Sequence, residues 1–129
     1  MLERKLRYSS LPEVLREYFL PGKRSLVVTG THGKTTTTGM IASILMDAAL
    51  DLSFIIGGTV ASLGTNARHG AGEPFVLEAD EYDRTFLRYA PKVAVITNVE
   101  FDHPDTYKDL DDTLDAFTHD EVVGLLRLY

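Results

Sequence analysis

Cysteine is absent from this chain of 129 residues, so neither a disulfide framework nor a thiolate metal site can form. Positive charge is in short supply: 13 Lys and Arg stand against 19 Asp and Glu, for a net charge of −6. That balance argues against a nucleic-acid surface. The basic residues that do gather, Arg4, Lys5, Arg7, Arg16, Lys23 and Arg24, are interspersed with carboxylates and apolar side chains, which is the pattern of a solvated face. No apolar stretch is long enough to span a bilayer, and the amino terminus is charged rather than signal-like. Neither nucleic acid nor membrane is expected as a partner, and a cytoplasmic setting is expected. The length allows one compact domain with a real core, not two ordinary ones.

What the chain does have is one unbroken run from Ser25 to Thr38: an apolar segment, two glycines, a lysine, then hydroxyl residues opening a helical pattern. Residues 26–28 are apolar and mostly β-branched, suited to a strand buried on both faces. Gly30 and Gly33 let the backbone turn sharply and approach an anion. The amides of residues 31–35 can then face phosphate oxygens, and the helix expected over 34–49 brings its positive end to the same place. Lys34 supplies a cation for terminal phosphates, and the Thr35 hydroxyl is a hard donor suited to Mg²⁺. The common phosphate-loop pattern, G-x-x-x-x-G-K-[ST], has Val28 at its first glycine here; the loop reads Gly30-Thr31-His32-Gly33-Lys34-Thr35 instead. The competing reading is an ordinary glycine turn, against which stands the order strand, glycines, lysine, threonine, helix.

Around this loop the pattern alternates. Leu11-Pro12-Glu13 opens a short amphipathic helix with Leu11, Val14, Leu15 and Phe19 near one face, ended by Pro21-Gly22. In the helix after Lys34, the residues Met40, Ile41, Ile44, Leu45 and Ala48 recur at helical spacing and are expected in the core. Strands are expected at 53–56, 75–79 and 93–97, a surface excursion at 59–74, a helix at 109–118, and one more short helix or strand at 120–129. The composition of these elements predicts an α/β fold, a mostly parallel sheet flanked by helices. Ligands of such sheets lie at the carboxyl ends of the strands. The strand at 75–79 runs into Glu78-Ala79-Asp80-Glu81-Tyr82-Asp83, and the strand at 93–97 into Asn98-Val99-Glu100-Phe101-Asp102-His103. Carboxylates and an imidazole brought beside a triphosphate suggest Mg²⁺ binding and water positioning. On its own such an acidic run is a solvated turn, and a lone histidine is a surface residue. His32 is expected to shape the loop or contact phosphate; His69 and His119 carry no supporting pattern.

Three segments resemble the Mur ligases, which make amide bonds in peptidoglycan precursors using ATP. They are the loop Thr29 to Thr37, the run Glu78 to Asp83, and the run Thr97 to Asp105. The resemblance implies a P-loop NTPase-like central domain, present in part, with residues 1–24 a lead-in from a preceding domain and 25–129 the partial ATP-binding domain. It implies ATP and Mg²⁺ as cofactors, and ligation of UDP-N-acetylmuramate through an acyl phosphate to an amino acid or peptide. Gly64-Thr65-Asn66-Ala67-Arg68 is similar to the branch that adds L-alanine. Tyr82, Glu100 to His103 and the lead-in Tyr8 to Glu13 favour the branch that attaches a recycled tripeptide.

Position by position, the resemblance implies that Gly30, Thr31, His32, Gly33, Lys34, Thr35 and Thr36 cradle the nucleotide, with Asn98 near the loop. Lys34, Glu78 and His103 would be catalytic, Thr35, Glu78 and His103 would hold metal, and Asp80, Glu81 and Asp102 would support them. Asn66 and Arg68 would face the sugar nucleotide. The adenine-holding residues and the closing domain of that family are not found in the chain, so ligation by the chain alone is not expected. A sheet cut after its fourth strand would expose an edge, and self-association is the expected remedy. Two other readings stay open: a non-catalytic nucleotide-binding module, and a small P-loop NTPase or phosphotransferase using the loop alone.

Overall fold

A computed structural model of the protein describes residues 8–79 and 88–98, and the backbone of 124–127. Among these, the strands β1 (Arg24–Thr29), β2 (Ser53–Ile55), β3 (Ala67–Arg68), β4 (Pro74–Glu78), β5 (Val93–Ile96) and β6 (Gly124–Arg127) form one sheet in the order β3-β2-β4-β1-β5-β6. Every neighbouring pair is parallel except β2 with β3. The apolar runs are the reason: a strand rich in Val, Ile and Leu can be covered on both faces, as parallel sheets require. Val27, Val28, Val76 and Leu77 are accordingly fully buried.

The helix α2 (Lys34–Asp47) carries the chain from β1 over to β2. The place beside β1 is then filled by β4 on one side and by β5 on the other, with Val28 level with both Glu78 and Val95. The order of connection therefore reverses at β1, and a crevice opens at its carboxyl end.

The two faces of the sheet carry separate apolar clusters. Leu52, Phe54, Ile56 and Val76 pack with Ala42 of α2. Val27, Phe75, Leu77 and Ile96 pack with Leu15, Leu20 and Tyr89 on the opposite side. Leu15 and Leu20 come from the lead-in, where α1 (Leu11–Val14) runs into a wider π-helical turn over Leu15–Phe19.

Several expectations need correction. In the lead-in, Leu11, Val14, Leu15 and Phe19 do line one groove, but Leu11 and Phe19 stay exposed and the buried pair is Leu15 and Leu20. The π-turn closes with the Leu20 N–H donating to the Leu15 carbonyl at 2.9 Å, so Leu20, five residues on, joins Leu15 in the core. In α2, Met40, Ile44 and Ala48 face outward, while Thr38, Gly39 and Ala42 are buried, with Ile41 and Leu45 packed at the edge of the cluster. Small residues line that face because the helix lies close to residue 60: a Cβ on Gly39 would come within 2.9 Å of the Val60 side chain. The helix ends at Asp47, with Ala49 in the left-handed region (φ 58°).

The excursion at 59–74 contains β3, which pairs antiparallel with β2. Nor is the sheet cut after its fourth strand, since β6 pairs with the free side of β5. Among the described residues the outermost strand on that side is therefore β6 and not β5. The helix expected at 109–118 lies outside the described residues.

Candidate functional site

The loop between β1 and α2 sits at the crevice. Gly30 has φ 132°, a conformation that excludes most side chains, and a Cβ there would come within 2.2 Å of the Thr97 hydroxyl. This glycine is thus required by close approach of the end of β5 as well as by the turn. Gly33 caps α2 in the left-handed region (φ 79°). The Lys34 ammonium folds back over the loop, donating to the Gly30 carbonyl at 2.7 Å and towards that of Thr31 at 3.4 Å. The first-turn N–H groups of a helix have no acceptor within it, so the opening of α2 points a positive end into the crevice.

Thr35, in that first turn, meets Glu78 from the end of β4. Its hydroxyl lies 2.9 and 3.1 Å from the two carboxylate oxygens, to which it donates. The carboxylate is held from a third side by the Gly57 N–H at 2.8 Å. The turn after β2 can come this near only because it lacks side chains: a Cβ on Gly57 would lie 3.1 Å from Glu78, and one on Gly58 would lie 3.0 Å from the Thr35 methyl. A hydroxyl and a carboxylate are both hard oxygen donors of the kind Mg²⁺ takes, and that ion needs only one or two protein ligands. Among the described residues no group of three or more His, Cys, Asp or Glu could enclose a metal by itself. Beside Thr35 and Thr36 a surface cavity of about 520 Å³ opens between α2 and residues 59–62.

On the other side of the loop stands Asn98. Its side-chain oxygen accepts from the N–H of Thr31 at 3.1 Å and of His32 at 2.9 Å. Its amide nitrogen donates to the His32 carbonyl at 3.1 Å, and the Thr97 hydroxyl donates to that same carbonyl at 2.7 Å. Two of the amides expected to face phosphate are thus turned to Asn98.

The structure therefore gathers Gly30, Thr31, His32, Gly33, Lys34, Thr35, Thr36, Glu78 and Asn98. Asn66 lies at the carboxyl end of β2, where its carbonyl accepts the Ile56 N–H at 2.8 Å. Arg68 is not brought to the crevice. Its guanidinium pairs with Asp51 at 2.9 Å, in the segment that leads into the amino end of β2. His103, Asp80, Glu81 and Asp102 lie outside the described residues. Sequence reasoning assigned no role to Thr97 or Gly57. Gly57 was marked by its place at the end of a strand, and Thr97 by that and by opening the third of the family-like runs.

A parallel α/β domain with a Gly-Lys-Thr loop after its central strand, and a neighbouring carboxylate on that threonine, is a phosphate-loop domain. This chain belongs to the Mur ligase middle domain family, which residues 28–119 match. It is 53% identical over 98 residues to a UDP-N-acetylmuramate–L-alanine ligase of Salinispora arenicola, covering 76% of this chain and 19% of that protein. It is 48% identical over 115 residues to the enzyme of the same name from Desulforapulum autotrophicum, covering 89% of this chain and 25% of that protein. Among solved structures, it resembles the UDP-N-acetylmuramate:L-alanyl-gamma-D-glutamyl-meso-diaminopimelate ligase from Neisseria meningitides. The TM-score is 0.77 at 39% identity, covering 90% of this chain and 41% of that one. The chain spans roughly a fifth to a quarter of the length of the curated relatives named. No helix among the described residues is long and apolar enough to cross a membrane.

Proposed function

We propose that this chain is the nucleotide-holding part of an ATP-dependent ligase that joins UDP-N-acetylmuramate to an amino acid or peptide. The observation that carries the reading is the Thr35–Glu78 pair, 2.9 Å apart across the crevice, beside the loop that holds Lys34. The relatives are named as ligases of the same nucleotide sugar, with L-alanine in the curated relatives and with L-alanyl-gamma-D-glutamyl-meso-diaminopimelate in the solved neighbour.

The chemistry suits such a site. A carboxylate is a poor electrophile until it receives a phosphoryl group; an amine then displaces phosphate. The difficulty is the meeting of two anions, and positioned cationic and dipolar groups are the remedy. Lys34 binds the terminal phosphates, with its ammonium moving off the Gly30 carbonyl on which it rests. The opening amides of α2 take further phosphate oxygens. Thr35 and Glu78 hold Mg²⁺, the Gly57 N–H keeping the carboxylate aimed. When bound, that ion neutralises charge on the transferring phosphate. His103, a short way past Asn98 in the chain, is proposed as a further support for the metal.

Isothermal titration with ATP and Mg²⁺ tests the reading. Wild-type protein is expected to bind, and Lys34→Ala to weaken binding at least about tenfold, as for loss of a charge-assisted contact. Equal affinity in the two proteins would remove the loop from the site.

A further inference from the structure

We infer that Asn98 is a positioning residue for the phosphate loop rather than a ligand of the nucleotide. The inference rests on the reading of that loop as a nucleotide site. The carboxamide of Asn98 uses both of its ends on the same short stretch of backbone. Its oxygen accepts two consecutive N–H groups, from Thr31 and His32, and its nitrogen donates to the His32 carbonyl. The backbone reinforces the pairing: the Thr31 N–H also lies 3.2 Å from the Asn98 carbonyl, and the Thr97 N–H donates to the Thr29 carbonyl at 3.0 Å. The Thr97 hydroxyl adds a second donor to the His32 carbonyl. Gly30 is the matching half of the joint, since any Cβ there would strike Thr97 and Asn98.

The loop is thus divided. Its first limb, Thr31–His32, is clamped to the end of β5. Its second, Gly33 onward, begins α2 and meets Glu78. Clamping the first limb fixes the turn from which the second departs, and so the direction of the α2 amides and of Lys34. A carboxamide suits this task because its oxygen accepts two N–H groups while its nitrogen donates to the neighbouring carbonyl; a carboxylate keeps the acceptor and lacks only the donor. Holding the loop in its binding shape before the nucleotide arrives lowers the ordering cost of binding.

Amide hydrogen exchange on the nucleotide-free protein, read residue by residue, tests the clamp; titration with MgADP and with inorganic pyrophosphate tests its consequence. In Asn98→Ala, exchange at His32 is expected to quicken at least about tenfold, the scale of one or two lost hydrogen bonds, and at Thr31 by less, because its N–H keeps the backbone carbonyl of residue 98. Exchange at Val27 and Leu77 in the core stays unchanged. Affinity for both ligands falls by a similar factor of about ten, because the loop as a whole is loosened. Asn98→Asp keeps the acceptor and is expected to retain protection at Thr31 and His32.

Weakened binding with unchanged exchange would overturn the inference and make Asn98 a direct ligand. Quickened exchange with unchanged affinity would overturn it as well. Should Asn98→Ala lose its core protection, Asn98→Asp decides, and a folded Asn98→Asp protein with unprotected Thr31 and His32 sinks the clamp. Failure of the wild-type protein to bind MgADP would instead count against the nucleotide reading, and is separable because the exchange is measured without ligand.

Discussion

The two faces of the sheet are covered in different ways. On one face α2 comes in close, through Thr38, Gly39 and Ala42, and its larger apolar residues Met40 and Ile44 look outward. On the other, the lead-in stands off and reaches the sheet through two leucines, Leu15 and Leu20, set five apart by a π-turn. The closer approach belongs to the helix that starts at the phosphate loop. Small side chains there fix where α2 begins, and hence where its amides and Thr35 point. The other helix has only to seal apolar surface, and large side chains do that. Apolar periodicity misjudged the buried side of α2 and missed Leu20 in the lead-in, because it marks which residues could be buried, while distance between layers decides which are.

That comparison can be broken by substitution. The largest effect is expected at the leucine anchor. Leu15 is 4% exposed, and Leu15→Ala is expected to cost about 3 kcal/mol of unfolding free energy in chemical denaturation. Leu11, at 61% exposure, is expected to cost under about 0.5 kcal/mol on the same change. Similar losses at the two positions would restore the ordinary helical register and remove the π-turn.

A smaller effect is expected on the close face. Gly39→Leu drives a side chain into Val60 and is expected to destabilise by about 2 kcal/mol. Combining it with Val60→Ala should recover part of that loss, since the two positions touch. Additive losses in the double variant would show that α2 is not held against residue 60.

The smallest is a matter of pH at the start of the lead-in. The Glu13 carboxylate accepts from the Ser10 N–H and the Ser9 hydroxyl, both at 2.8 Å. The Ser10 N–H chiefly, with the serine hydroxyls, holds its pKa below the ordinary carboxylate value. A carboxylate with a lowered folded pKa contributes stability above its unfolded pKa and loses it as pH falls through the folded one. The contact is exposed, so the expected readout is faster exchange of the Ser10 amide as the solution is acidified, relative to a control amide in β1. Glu13→Gln should abolish that dependence. An unchanged pH profile in Glu13→Gln would separate the lead-in cap from this side chain.

Much of the site was legible because it is contiguous. Gly30, Gly33, Lys34 and Thr35 fall within one strand–turn–helix unit whose geometry follows from local chain stiffness, glycine freedom and helix polarity. Glu78 and Asn98 were legible as strand-end residues, since a parallel sheet sends those ends to one edge. Arg68 could not be placed from the sequence, for a related reason. It stands on an antiparallel strand, so it travels back down β2 to Asp51 and away from the crevice. Alternation and composition carry no sign of a strand's direction. The clamp by Asn98 was hidden because a carboxamide near a phosphate loop suits a ligand as well as a brace.

The amino-acid sequence by itself determined the main parallel strands, the helix after the first of them and the chemistry available at the turn between, because these depend on neighbours along the chain. Only the tertiary structure decided that Thr35 would meet Glu78, 43 residues away, and that Asn98 would close on His32 across 66. Those meetings follow from β1 standing between β4 and β5. That order is set by how both faces of the sheet are buried together, a condition no single segment contains.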